Sequence, residues 1–180
     1  MTATKLFGRW LLLCLALSFM AVNGNAQEYR RGVLYHLIAV SEGMTVETDN
    51  TGKLKLSQLD SANPNQHYTL NELSGSWRFI NPFNNRAIRT EGDALEHGEN
   101  NGSDEAQLWK TEKNGKYLTL VPTNRPDMAA ADSYKQLVLI KKSQANGNKA
   151  AQFEIRQAEH SGFDVALTDF ELSGLIAVSL

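Results

Sequence analysis

Gln66 with Tyr68, and Gln107 with Trp109, each join an amide to an aromatic ring two positions on. On an extended strand such residues share a face, so the ring can fill a core while the amide, both donor and acceptor, ties backbone groups of a turn. A worn copy, Ala151-Gln152-Phe153, follows. The other groups capable of chemistry are poorly placed for it. The four histidines, His36, His67, His97 and His160, show no HExxH or other metal-ligand spacing. His36 alternates with Tyr35 and Leu37, and His67 lies between Gln66 and Tyr68, so both are expected to point outward from strands. There is no GxSxG elbow, no glycine-rich phosphate loop, and no Gly and terminal Glu spacing of a calcium-binding loop in the acidic stretches around Asp49 and Glu99 to Glu105. No catalytic activity, cofactor or metal is expected.

The closing aromatics Tyr68, Trp109 and Phe153 recur at intervals of 41 and 44 residues. Aromatics that open apolar segments, Tyr35, Trp77 and Tyr117, recur at 42 and 40, and the short stretches 44–48, 86–90 and 127–131 at 42 and 41. Three landmarks returning in one order define an internal threefold repeat, with copies at about 33–73, 74–114 and 115–158. Within each copy the apolar residues alternate with the period of strands, as in Leu54-Lys55-Leu56, and no amphipathic helix of ordinary length intervenes. Turn residues that tolerate positive φ fall at the junctions: Asp49 to Gly52, Glu99 to Gly102, Asn114-Gly115 and Asn146-Gly147. Three copies with room for four short strands each predict an all-β fold, a closed twelve-stranded β-trefoil over residues 30–160, closure removing the exposed edges of an open sheet.

The ends carry different signals. Residues 1–26 read as a cleavable signal peptide, with Lys5 and Arg9 before an apolar run from Trp10 to Val22 and small residues Gly24 and Ala26 before the cleavage point. The apolar run is shorter than a bilayer needs, so no membrane span is expected in the mature chain, which would be secreted, periplasmic or at the cell surface. Cleavage removes the one cysteine and shifts the net charge from −2 to −4, which argues against nucleic acid as a partner. Residues 161–180 lie outside the repeats and include the apolar run Leu175 to Val178. They read as a C-terminal tail, a linker to a fused or associated enzyme domain or to a partner chain.

Three repeats closing on Gln-X-aromatic, with Asn65 directly before Gln66, resemble the ricin B-chain type of β-trefoil lectin domain over some 125 residues. The resemblance implies a carbohydrate-binding module without catalytic activity of its own, taking a mono- or oligosaccharide. It also implies a pocket in each repeat: an acidic residue in the short stretch, an aromatic platform about ten residues before the Gln, and an Asn just before it. A carboxylate and an amide can hold neighbouring hydroxyls while a ring packs on the sugar's C–H face. Repeat one offers Glu47, Asn65 and Gln66, with Ser57 or Gln58 where the platform belongs. Repeat two offers His97 as a weak platform but has Arg89 at the acidic position and Ala106 at the amide position; repeat three has Ala130, Ala150 and Ala151. The expected sugar-binding residues are therefore Glu47, Asn65, Gln66 and His97, with Tyr68, Gln107, Trp109 and Phe153 as structural motif residues. The competing expectation is a protein-binding or inhibitory trefoil scaffold whose sugar sites have degenerated.

Overall fold

The computed structural model describes residues 29–49 and 51–159. The signal peptide at 1–26 and the tail at 161–180 lie outside the described residues. Twelve strands run in chain order: β1 Tyr35–Ala39, β2 Met44–Thr48, β3 Leu54–Ser57, β4 Thr69–Leu73, β5 Ser76–Asn81, β6 Arg86–Glu91, β7 Ala94–Glu99, β8 Trp109–Asn114, β9 Tyr117–Pro122, β10 Met128–Ser133, β11 Gln136–Lys141 and β12 Phe153–Gln157. Among the described residues the remaining regular structure is confined to short 3-10 turns, including Pro64–Gln66, Glu105–Gln107 and Lys149–Ala151, and no helix is long and apolar enough to cross a membrane.

Six strands close a barrel. β1 pairs with β12, β12 with β9, β9 with β8, β8 with β5 and β5 with β4. The seam is sealed by Tyr35 and Tyr68, which exchange two backbone hydrogen bonds of 2.8 and 2.9 Å. The other six form three hairpins, β2–β3, β6–β7 and β10–β11, joined into a triangular cap by Lys55 opposite Gln136, Ala94 opposite Val138 and Lys53 opposite Glu96. This barrel and cap are the β-trefoil expected from the repeats.

Tyr68, Trp109 and Phe153 start the last strand of each repeat and are wholly buried in one core with Leu37, Val46, Phe79, Ile88 and Leu120. The Trp109 indole N–H is satisfied by Ile88 O at 3.0 Å, as a buried donor requires. The strand register corrects two sequence landmarks. Tyr35, Trp77 and Leu118 pair with the three closing aromatics, so the third member of that series is Leu118, not Tyr117. Likewise Val46, Ile88 and Ala130 share the core row, which makes Ala131, not Ala130, the counterpart of Glu47 and Arg89.

The two histidines expected outside are buried. Alternation does turn His36 away from Tyr35 and Leu37, but that face is covered. His67 packs its ring 4.9 Å from that of His36, Phe83 lies 6.0 Å beyond, and His36 Nδ1 meets the Gln66 carbonyl at 3.1 Å.

Candidate functional site

The outer face of the β2–β3 hairpin carries Glu47 directly opposite Lys55. Their charged ends meet at 3.0 Å, with the Lys55 side chain 48 % exposed and that of Glu47 13 % exposed. Behind Glu47 stands the Pro64–Gln66 turn. Asn63 caps it by accepting the Asn65 N–H, and its amide nitrogen donates to Glu47 Oε2 at 3.2 Å. Gln66 Nε2 donates to the same oxygen at 2.8 Å. Burial raises the proton affinity of this carboxyl, but the hydrogen bonds from Gln66, Lys55 and Ser57 outweigh it and hold Glu47 below its ordinary value. The result is an ionised acceptor fixed in place among polar groups on the outer face of the hairpin, able to take a hydroxyl through its remaining lone pairs.

Of the four residues expected to bind sugar, Glu47 and Gln66 are brought together and Asn65 lies beside them in the turn, contributing its backbone N–H to the cap. The asparagine amide that reaches Glu47 is that of Asn63, not Asn65. His97 is elsewhere: it is 1 % exposed, in the core row occupied by Leu56 in repeat one and Leu139 in repeat three. Its Nδ1 bonds Thr48 Oγ1 at 2.8 Å, its ring lies edge-on to Tyr68 at 6.0 Å, and burial, aided by the Arg86 charge, pushes its pKa down to about 4. A ring enclosed in this way has no face to offer a ligand.

Of the two participants not anticipated, Lys55 and Asn63, Asn63 had a signal in the sequence. Asn63, Asp104 and Asn148 each stand three residues before the turn's last position and cap it identically. They repeat at the same 41 and 44 residue intervals as the aromatics.

Comparing the repeats position by position shows how far the site has diverged. The opposed pair Glu47–Lys55 becomes Arg89–Glu96 in repeat two, with the charges exchanged, and Ala131–Val138 in repeat three. Arg89 is taken up by carboxylates: Glu91 at 2.8 Å, and Glu96 and Asp104 each at 3.7 Å. Its stem lies across Gly98, where any Cβ would collide with it. Repeat three is apolar, with Ala129, Ala131, Ala145 and Ala151 in a small separate cluster. Two residues beyond the second member of the opposed pair, on the same face, the three hairpins carry Ser57, Gly98 and Ile140, none of them an aromatic platform.

The Gln residues clamp the loop that precedes them. Gln66 donates to Gln58 O at 2.9 Å and accepts from Asp60 N at 2.8 Å; Gln107 donates to Glu99 O at 2.6 Å and accepts from Asn101 N at 3.1 Å. In repeat three Ala151 occupies the Gln position, and Asn114 from the end of β8 supplies the amide, donating to Ala145 O at 2.8 Å and accepting from Gly147 N at 3.0 Å. The same two backbone groups, two residues apart, are satisfied by the turn's own Gln in repeats one and two and by a different chain segment in repeat three. Asn114 is thus not the hairpin-turn residue the sequence suggested; Gly115 takes the positive φ. Among the described residues no group of three or more His, Cys, Asp or Glu is arranged to hold a metal ion.

No family model matches this sequence, and neither does any curated protein. Solved structures do match. A GlcNAcα1-4Gal-releasing endo-β-galactosidase from Clostridium perfringens is similar over 71 % of this chain with a TM-score of 0.65 and 16 % identity, the match spanning 33 % of the enzyme. The designed threefold-symmetric protein ThreeFoil matches over 68 % of this chain and 97 % of its own, at a TM-score of 0.58 and 18 % identity. The BEL β-trefoil matches over 73 % and 97 %, at 0.62 and 11 % identity. At these identities the likeness defines the class of fold, a β-trefoil, and nothing finer.

Proposed function

We propose that this protein is a secreted, lectin-like carbohydrate-binding module of the ricin B-chain type, without catalytic activity, that holds a glycan weakly through repeat one. The observation that carries this reading is the Glu47 carboxylate, ionised and fixed by Gln66, Asn63 and Lys55 on an outer face, where repeat two has an arginine and repeat three an alanine. The trefoil fold also forms one segment of a GlcNAcα1-4Gal-releasing endo-β-galactosidase, an arrangement in keeping with a glycan ligand and an associated enzyme domain. A shallow site with two or three hydrogen bonds and no stacking ring of its own supplies no more than about 4 kcal/mol, so the affinity for a monosaccharide is about millimolar.

A second reading is favoured by the missing platforms at Ser57, Gly98 and Ile140: a trefoil scaffold that binds protein through degenerate repeats. A printed glycan array run beside a pull-down from the native environment separates the two. Array signal that falls by about tenfold or more in Glu47→Ala supports the lectin; a blank array with a specifically captured protein supports the scaffold.

A further inference from the structure

The β2–β3 hairpin of repeat one carries no aromatic, yet the neighbouring hairpin presents one. Glu47, Lys55, Gln136 and Ser133 lie directly opposite one another in a single row across β2, β3, β11 and β10. Directly paired residues project on the same face, and here that face is the outer one, since Lys55 and Gln136 are exposed. The row ends at the β10–β11 turn, whose two central residues are Tyr134 and Lys135. At roughly 5 Å per strand, the turn lies about 15 Å from Glu47.

Tyr134 is 100 % exposed, whereas the next most exposed large apolar side chains, Leu73 and Phe83, are about half covered. It also stands where a tyrosine is costly. Tyr134 and Lys135 both adopt positive φ, 51° and 63°, and the matching turn of repeat two places Gly92 there at 58°. A non-glycine residue in this region is disfavoured by contact of its Cβ with the backbone. The turn is nonetheless rigidly held: Asp132 Oδ1 accepts from Lys135 N at 3.2 Å, Lys135 O accepts from Leu56 N of β3 at 2.9 Å, and Asp132 Oδ2 accepts from Ser41 at 2.8 Å. The ring therefore stands in solvent on a fixed base, with its entropy cost already small for a ligand.

We infer that Tyr134 forms a second sugar subsite, on which a ring of an oligosaccharide anchored at Glu47 and Lys55 stacks after crossing Gln136. This rests on the glycan-binding reading of repeat one and adds to it a preference for chain length: the polar row fixes hydroxyls, and the tyrosine supplies the C–H contact that the hairpin of repeat one has lost. The spacing makes the subsite irrelevant to a monosaccharide and useful to a longer glycan.

The test uses an array and titrations with chito-, malto-, xylo- and galacto-oligosaccharide series, each from monomer upward. Tyr134→Gly suits the backbone conformation and leaves the fold intact or slightly stabilised, while Tyr134→Trp keeps a stacking face. The expected result is that oligosaccharides bind the wild type about tenfold more tightly than their monomers. Tyr134→Gly removes that advantage without changing monomer affinity, and Tyr134→Trp retains it. If Tyr134→Gly leaves the advantage intact while Glu47→Ala abolishes binding, the subsite is overturned and the repeat-one site stands. If the wild type binds none of the series, the glycan-binding reading fails and the subsite with it.

Discussion

Replacing Asn114 with Leu is expected to destabilise the domain by about 3 kcal/mol, a large share of the 5–15 kcal/mol typical of a domain. The side chain is 3 % exposed and touches four partners: Ala145 O, Gly147 N, Thr119 Oγ1 at 2.9 Å and Gln152 Nε2 at 3.2 Å. Leucine has similar bulk but leaves the carbonyl and the N–H of the 145–147 loop without their amide, and an unmet buried polar group costs about 1–3 kcal/mol. Asn146, exposed in the same loop, serves as the control, its replacement by Ala costing within about 0.5 kcal/mol. Gln66→Leu and Gln107→Leu should resemble Asn114→Leu, because each side chain clamps the equivalent loop of one repeat. Urea unfolding of the four variants measures this. An Asn114→Leu protein as stable as the Asn146→Ala control would show that the clamp is incidental.

The second large effect is expected on acidification. His36, His67 and His97 are all buried and all have depressed proton affinity, caused first by burial. The Arg156 charge adds to this at His36 and Arg86 at His97, while Asp60 opposes it at His67. Each histidine is neutral in the fold and binds a proton near pH 6.5 when unfolded, so below that pH the unfolded chain carries more protons and gains stability relative to the native one. Stability is complete above about pH 7 and falls as the pH drops from 6.5 toward 4. His97 alone, with its pKa near 4, accounts for a loss on the order of 3 kcal/mol. The Glu47 carboxyl, held low, adds its own loss only below its unfolded value of 4.5, so the window from 6.5 to 4.5 belongs to the histidines. Melts at several pH values should show this slope. The double change His97→Leu with Thr48→Val, which reproduces the leucine of the other two repeats and removes the hydroxyl His97 serves, should flatten most of it. A wild-type stability constant from pH 7 to 4.5 would contradict the account.

How much of this was visible beforehand depended on whether a residue's role is set along the strand or across it. Tyr68, Trp109 and Phe153 were readable because the core demands a large ring at one fixed place per repeat. The alternation rule that turned His36 outward was correct about direction and silent about cover, since His67 and Phe83 arrive from a turn and from another hairpin. His97 was misread because ten residues before Gln107 falls one position away from the surface row, and a one-residue slip moves a side chain to the opposite face. Asn114 was hidden for another reason. The 142–151 segment is longer than its counterparts and carries Ala151 where they carry the clamping Gln, so nothing at the third repeat's own signature points back to β8. Within the site, Glu47 and Gln66 were legible from the repeat, and Asn63 is marked by its own recurrence with Asp104 and Asn148; Lys55 required the register.

The most direct test of glycan binding through Glu47 is a titration of the isotopically labelled protein, followed by amide and side-chain NMR shifts, with the strongest saccharide from the array. The account predicts shifts concentrated at Lys55, the Asn63 and Gln66 side-chain amides and Asn65, with saturation at about millimolar concentration. Those shifts should vanish in a Glu47→Ala protein whose remaining spectrum matches the wild type. Shifts mapping to repeat two or three, or undiminished in Glu47→Ala, would contradict it.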